Sequence, residues 1–223
     1  ASLVGIVGGI MDSVELLITP CVHVGGLYVQ PDWVTGGIQV QARVRNYGAT
    51  DRAARMLATV SPAVGGEILD TRGWEQVLPP GESLLETSVS VDRHRLWELN
   101  DPFLYRVAVQ ATVDGSSLAG MSTRCGFRDF RFEDGYFRLN GRRIFLKNSH
   151  HGASAPAWGL IPSDPDFLRR DLLNVKSMGF NMLRFIARPP QPYVLDLADE
   201  IGLLIYEEHY AAWVFANSPH MAE

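Results

Sequence analysis

Over the first 125 residues, apolar and polar positions alternate in short runs that return roughly every dozen residues, with Gly and Pro between them. The clearest runs are Val22-His23-Val24, Leu27-Tyr28-Val29-Gln30, and those at 37–44, 55–60, 84–91 and 105–111. In the run at 37–44, Ile38, Val40, Ala42 and Val44 fall on one side and Gln39, Gln41 and Arg43 on the other, as a strand with one buried and one wet face requires. A set of about seven such runs predicts an antiparallel sandwich of two sheets. Ahead of it, Val14-Glu15-Leu16-Leu17-Ile18 has the pattern of a single strand. One strand cannot bury its own face, so it either joins the following sheet or belongs to a preceding domain. At 126–147 the alternation tightens into a hairpin: Phe130 and Phe132 alternate with Arg131 and Glu133, and Asp134-Gly135 and Asn140-Gly141 supply two turns. Arg143-Ile144-Phe145-Leu146-Lys147 then forms a further strand.

Beyond residue 147 the period lengthens to that of helices. A helix is predicted at 165–178, with Phe167, Leu168, Leu172, Val175 and Met178 on one face and Gly179 as its stop. A second is predicted at 192–201, with Val194, Leu195, Leu197, Ala198 and Ile201 apolar and Gly202 as its stop. Between and after them, 181–186 and 203–206 are short apolar strands of the kind that helices cover in a parallel sheet. The order is β-α-β-α-β.

Composition narrows the possible partners. The chain has 223 residues, 46% hydrophobic and 20% charged, with a formal net charge of −5. No basic stripe with interleaved aromatics occurs, which excludes a nucleic-acid partner. No apolar run reaches 18 residues, so no membrane span is expected. The apolar start carries Asp12 and Glu15 and lacks a positive leading region, unlike a signal peptide. The expectation is a soluble chain, cytoplasmic or secreted. Cys21 and Cys125 are expected as two free buried thiols rather than a bridge.

Several motifs together resemble one family. The hairpin, written GFR-x-F-x-F...G-x-F-x-LNG-x-x-I-x-LK, the run Trp97 to Tyr105 written W-x-x-x-x-P-x-L-Y, and the later M-G-F-N-x-x-R and L-A-D-E-x-G-L-L-I-Y-E-E resemble glycoside hydrolase family 2, the β-galactosidase and β-glucuronidase family. The resemblance implies a multidomain β plus α/β protein. Residues 1–19 would be the terminal strand of an upstream jelly-roll domain, 20–125 an immunoglobulin-like β-sandwich, and 126–223 the first three βα units of an incomplete (β/α)8 TIM barrel. The Trp97 to Tyr105 run has a structural reading, an aromatic corner pinning a strand to the core.

Barrels of this kind carry their reactive groups at the C-terminal ends of the strands. That rule, applied through the resemblance, selects Asn148, His150 and His151 after the first strand, Arg184 with the second, and Glu207 after the third as substrate-binding residues, with Trp213 as an aromatic that could stack on a sugar. Arg184 matches the family's N-x-x-R arginine, which neighbours the catalytic carboxylate. Glu207 and Glu208 are adjacent on a strand and point to opposite faces, so at most one enters the site. Neither matches the family's two catalytic glutamates, and no residue of this chain is assigned as catalytic. His150 and His151 lack metal-ligand spacing, so no metal and no cofactor is expected. The family's first-strand G-V-N-x-H appears only as Asn148-Ser149-His150-His151, and Ala187 replaces the histidine that follows the arginine, so the sugar is not fixed by the resemblance.

The resemblance thus implies a fragment of a retaining glycosidase acting on carbohydrate, a β-glycoside. The chain by itself is expected to be inactive and to self-associate through the open barrel edge. The alternative is a noncatalytic β-sandwich module that binds carbohydrate or protein, with a docking tail.

Overall fold

The computed structural model describes residues 14–117, 120–151, 165–185 and 190–208. Its first part comprises β1 (Val22–Pro31), β2 (Gly37–Asn46), β3 (Arg52–Pro62), β4 (Asp70–Leu78) and β5 (Gly81–Ser90). The short pair β6 (Trp97–Glu98) and β7 (Asp101–Pro102) follows, then β8 (Tyr105–Val113), β9 (Ser116–Ser117) and β10 (Met121–Cys125). One sheet has the order β1-β2-β5 and the facing sheet β10-β8-β3-β4, with β9 paired to β8. All these pairings are antiparallel.

The alternation explains the core. Ile38, Val40, Ala42 and Val44 of β2 pack with Ala54, Met56, Ala58 and Val60 of β3 and Val107, Val109 and Ala111 of β8 in one cluster. Asn46 is the buried polar residue among those described, and every group of its amide is used. Nδ2 donates to the carbonyls of Thr50 and Leu78 at 2.9 Å, and Oδ1 accepts from the Gly48 N–H at 2.9 Å. A buried amide satisfied in this way ties the end of β2 to the opposite sheet.

In this first part three features depart from the simple reading of the alternation. Residues 14–20 form no strand, and Val14, Leu16, Leu17 and Ile18 are exposed; among the described residues no neighbouring strand supplies the partner that a strand there needs. The two runs at 22–24 and 27–30 are one strand, because an irregularity between Val24 and Gly26 absorbs the extra residue. Strands β4 and β10 lack a clean apolar alternation, and their edge positions require burial of one side only.

The hairpin forms as the turn residues dictate, through β11 (Phe130–Glu133), β12 (Tyr136–Leu139) and β13 (Arg142–Arg143). Asp134, Gly135, Asn140 and Gly141 all have positive φ, at 51°, 80°, 51° and 75°. Those values match the mirror-image turns that two-residue hairpin loops favour. Asn140 also anchors the hairpin, since its side chain accepts from the Asp129 N–H and donates to the Trp97 carbonyl, both at 3.0 Å.

The last part is β14 (Asn148–His151), α1 (Pro165–Ser177), β15 (Met182–Phe185), α2 (Pro192–Ile201) and β16 (Leu204–Glu207). The strands lie parallel in the order β14-β15-β16. In both helices buried residues recur at helical spacing, Leu168 and Leu172 in α1 and Val194, Leu197, Ala198 and Ile201 in α2, and they cover Leu183 and Phe185. Met178, expected on the apolar face of α1, lies past the end of that helix and is exposed.

The strand expected at 143–147 is displaced. Ile144 and Leu146 turn inward and Phe145 outward, so the backbone is extended, but the ladder begins only at Asn148. Asn181 holds this lead-in: its Oδ1 accepts from the Lys147 N–H at 2.8 Å and its Nδ2 donates to the Phe145 carbonyl at 2.9 Å. Asn148 and His150 therefore lie within the strand rather than beyond it.

A charged and aromatic junction seats the α/β part on the sandwich. Trp97 is fully buried, and its indole N–H donates to the Asp199 carbonyl at 2.8 Å. Arg124 of β10 pairs with Asp196 at 2.9 Å and with Glu200, which also takes Arg169. Burial pushes the Glu200 carboxyl up, but the bonds from Arg124 and Arg169 outweigh it and hold the group below the ordinary glutamate value. Lys176 donates to the carbonyls of Leu99 and Ile201, closing the C-terminal end of α2 against the sandwich. No helix among the described residues is long and apolar enough to cross a membrane.

Candidate functional site

The two faces of the parallel sheet have opposite chemistry, set by the register. The rows across the strands are Asn148, Met182 and Leu204; Ser149, Leu183 and Ile205; His150, Arg184 and Tyr206; and His151, Phe185 and Glu207. Leu183 and Phe185 are 1% exposed beneath the helices. The first and third rows therefore lie on the other face. There, Met182 and Leu204 are sealed by Trp97, Leu104 and Leu139 from the sandwich corner and the hairpin. On β15 and β16 the lower half of this face is closed and apolar, while Asn148 on β14 is exposed. Among the described residues, the upper half, towards the C-terminal ends of the strands, is open and polar.

That open half carries His150, Arg184, Tyr206 and Glu208. The Arg184 guanidinium pairs with the Glu208 carboxylate through both Nε and Nη2. It also lies 5.7 Å from the centre of the Tyr206 ring. The backbone N–H of Glu208 donates to the Phe185 carbonyl at 3.2 Å, which extends the β15–β16 pairing by one residue and fixes where the carboxylate stands. The glutamate side chain is 18% exposed and the arginine 46%, so the pair has a shielded anion and a cation open to solvent. Its chemistry is that of a fixed cation able to orient an oxygen-rich ligand or hold a neighbouring carboxylate ionised.

Arg184 and His150 are thus brought together. Asn148 sits one layer lower in the same strand, at the start of the ladder. Glu207 lies on the opposite face, in the row of Phe185, and Glu208 takes the place the sequence reading gave to Glu207. The strand runs from Leu204 to Glu207, one residue later than expected, and counting by two from Leu204 selects Tyr206 and Glu208. His151 is paired through its backbone with Phe185. Trp213 lies outside the described residues. No cluster of three or more His, Cys, Asp or Glu that could hold a metal occurs among the described residues.

A family model, glycosyl hydrolases family 2, matches residues 22–128. The chain is 25% identical over 220 residues to the beta-galactosidase BoGH2A of Bacteroides ovatus, covering 95% of this chain and 26% of that protein. The crystal structure of a Bacteroides uniformis beta-glucuronidase superposes with a TM-score of 0.79 at 24% identity, covering 90% of this chain and 26% of that one. That of the Parabacteroides merdae beta-glucuronidase gives 0.72 at 26% identity, with 85% and 24% covered. The chain spans about a quarter of the length of these relatives.

Proposed function

We propose that this chain, whose residues 22–128 match the glycosyl hydrolases family 2 model, belongs to a retaining β-glycosidase in which residues 126–223 open a (β/α)8 barrel. The carrying observation is the Arg184–Glu208 pair at the C-terminal ends of parallel strands, on the face turned away from the helices. In such barrels that end of the sheet bears the active site. The names of the relatives, a beta-galactosidase and a beta-glucuronidase, support a β-linked galactoside or glucuronide as the substrate class.

In this reading two glutamates from elsewhere in the protein perform the displacement, one attacking the anomeric carbon and the other protonating the leaving oxygen, about 5–5.5 Å apart. Glu208 occupies Nε and Nη2 of Arg184, and among the described residues Nη1 is left to donate to a sugar hydroxyl or to the nucleophilic carboxylate. A guanidinium beside that carboxylate keeps it ionised and ready to attack. His150, on the neighbouring strand of the same row, offers a second contact to a sugar hydroxyl. The chemistry requires no cofactor.

The test uses the complete protein with p-nitrophenyl β-D-galactoside and p-nitrophenyl β-D-glucuronide. One of the two should be hydrolysed with retention of configuration. Arg184→Ala should lower kcat/KM by about 10²–10³-fold while leaving the thermal midpoint within a few degrees. Failure to cleave either substrate, or full activity in the Arg184→Ala protein, would overturn the reading.

A further inference from the structure

The sandwich has a second polar surface, in a sheet other than the parallel one, on the outer face of β1-β2-β5. Register places Tyr28, Gln41 and Glu86 in one row across the three strands, and Gln30, Gln39 and Ser88 in the row two residues along. All six belong to the outward half of the alternation, since Val40, Ala42, Leu85 and Val89 between them are buried in the core. Tyr28 is 60% exposed. Beyond Glu86, towards the start of β4, lies a groove of about 580 Å³ lined by Gln39, Asp70, Arg72, Glu86, Thr87 and Ser88.

These groups are held in position within the chain. The Gln41 amide donates to Glu86 at 2.9 Å. The Asp70 carboxylate accepts from the N–H groups of Thr71 and Ser90, both at 2.7 Å, which ties the start of β4 to the end of β5 across the groove. The charges balance, because Arg43, Arg45 and Arg72 are matched by Glu82, Glu86 and Asp70, with Arg43 and Glu82 3.4 Å apart.

We propose that this face binds a neutral, linear, β-linked oligosaccharide, at a site separate from the one that would perform the hydrolysis. The exposed Tyr28 ring offers the apolar plane that packs against the C–H face of a pyranose. The planar amides and carboxylates of Gln41, Glu86, Gln30 and Gln39 pair with vicinal hydroxyls, which present a donor and an acceptor side by side. Three strands span about 10 Å, the reach of two consecutive sugar rings. The groove beyond Glu86 would receive the next. Balanced charge favours a neutral glycan over an acidic one, and an extended β-linked ribbon suits an open sheet face better than a coiled α-linked chain.

Isothermal titration of the complete protein with cellotetraose tests this. Saturable, weak binding is expected, reduced about tenfold or more by Tyr28→Ala and by Glu86→Ala, and unchanged by Arg184→Ala, which probes the other site. Tyr28→Phe should retain most of the affinity, because the ring and not the hydroxyl carries the stacking. The variants are surface substitutions, and an unchanged thermal midpoint confirms their fold. Absence of saturable heat with cellotetraose, or binding unaffected by Tyr28→Ala, would overturn the assignment. Loss of binding in Arg184→Ala would also overturn it, by moving the ligand to the parallel sheet.

Discussion

Gly202 is where the α/β part meets the sandwich backbone to backbone, and replacing it with Ala tests that seat. The residue ends α2 in the left-handed region at φ 84°, ψ 54°, with its N–H donated to the Ala198 carbonyl. A methyl group there would overlap the Leu99 carbonyl oxygen and stand 2.8 Å from the Lys176 ammonium. Two costs add. Left-handed backbone costs a residue with a Cβ about 1–2 kcal/mol. Forcing a methyl into a packed junction costs about 1–3 kcal/mol more, because Leu99 belongs to a backbone that cannot swing aside. The total is about 2–5 kcal/mol. Gly135 supplies the control, since its φ is 80° and no atom lies within 4 Å of the position its Cβ would take. Gly135→Ala should therefore carry only the backbone cost. Measured by urea unfolding followed by circular dichroism, the two variants should differ by about 1–3 kcal/mol, with Gly202→Ala the weaker. Equal losses would show that Leu99 and Lys176 do not press on α2, and the seating described above would be wrong.

Two further outcomes follow from the charges and thiols. The unfolded chain protonates Glu200 near pH 4.3, whereas Arg124 and Arg169 hold the folded group ionised to lower pH. Its contribution is thus complete above about pH 4.3 and is lost as pH falls through the folded value; urea midpoints of Glu200→Gln should be lower at neutral pH and fall less steeply on acidification. Burial pushes the Cys125 thiol up to about 12, while Cys21 is exposed, and both are free. A disulfide reagent should label one thiol quickly in the native chain and the second only on unfolding, and two fast thiols would contradict the burial.

Local rules reached far into this molecule. Asp134-Gly135 and Asn140-Gly141 fixed both hairpin turns, because a residue pair needing positive φ leaves the backbone little choice. The helix at 192–201 was legible to the residue from its apolar spacing and Gly202. The alternation at 37–44 marked its buried side correctly, and the motifs of the hairpin and the Trp97 corner pointed to the family whose model matches residues 22–128.

Pairing partners were not legible. Residues 14–18 read as a strand and form none, because a strand exists only when another backbone supplies its hydrogen bonds, and 143–147 divide their backbone bonds between two partners, Ile144 donating to Phe137 of the hairpin and Lys147 accepting from Asn181 and Met182. The choice between Glu207 and Glu208 was of the same kind. Adjacent carboxylates on a strand are separated only by which of them shares a face with Arg184, and a shift of one residue in the strand start reverses the answer. The sequence alone determined the hairpin turns, the helices, the alternating faces and the family resemblance. Tertiary structure decided the register, the seating of Gly202 on Leu99 and the carboxylate beside Arg184, since each depends on contacts between segments far apart in the chain.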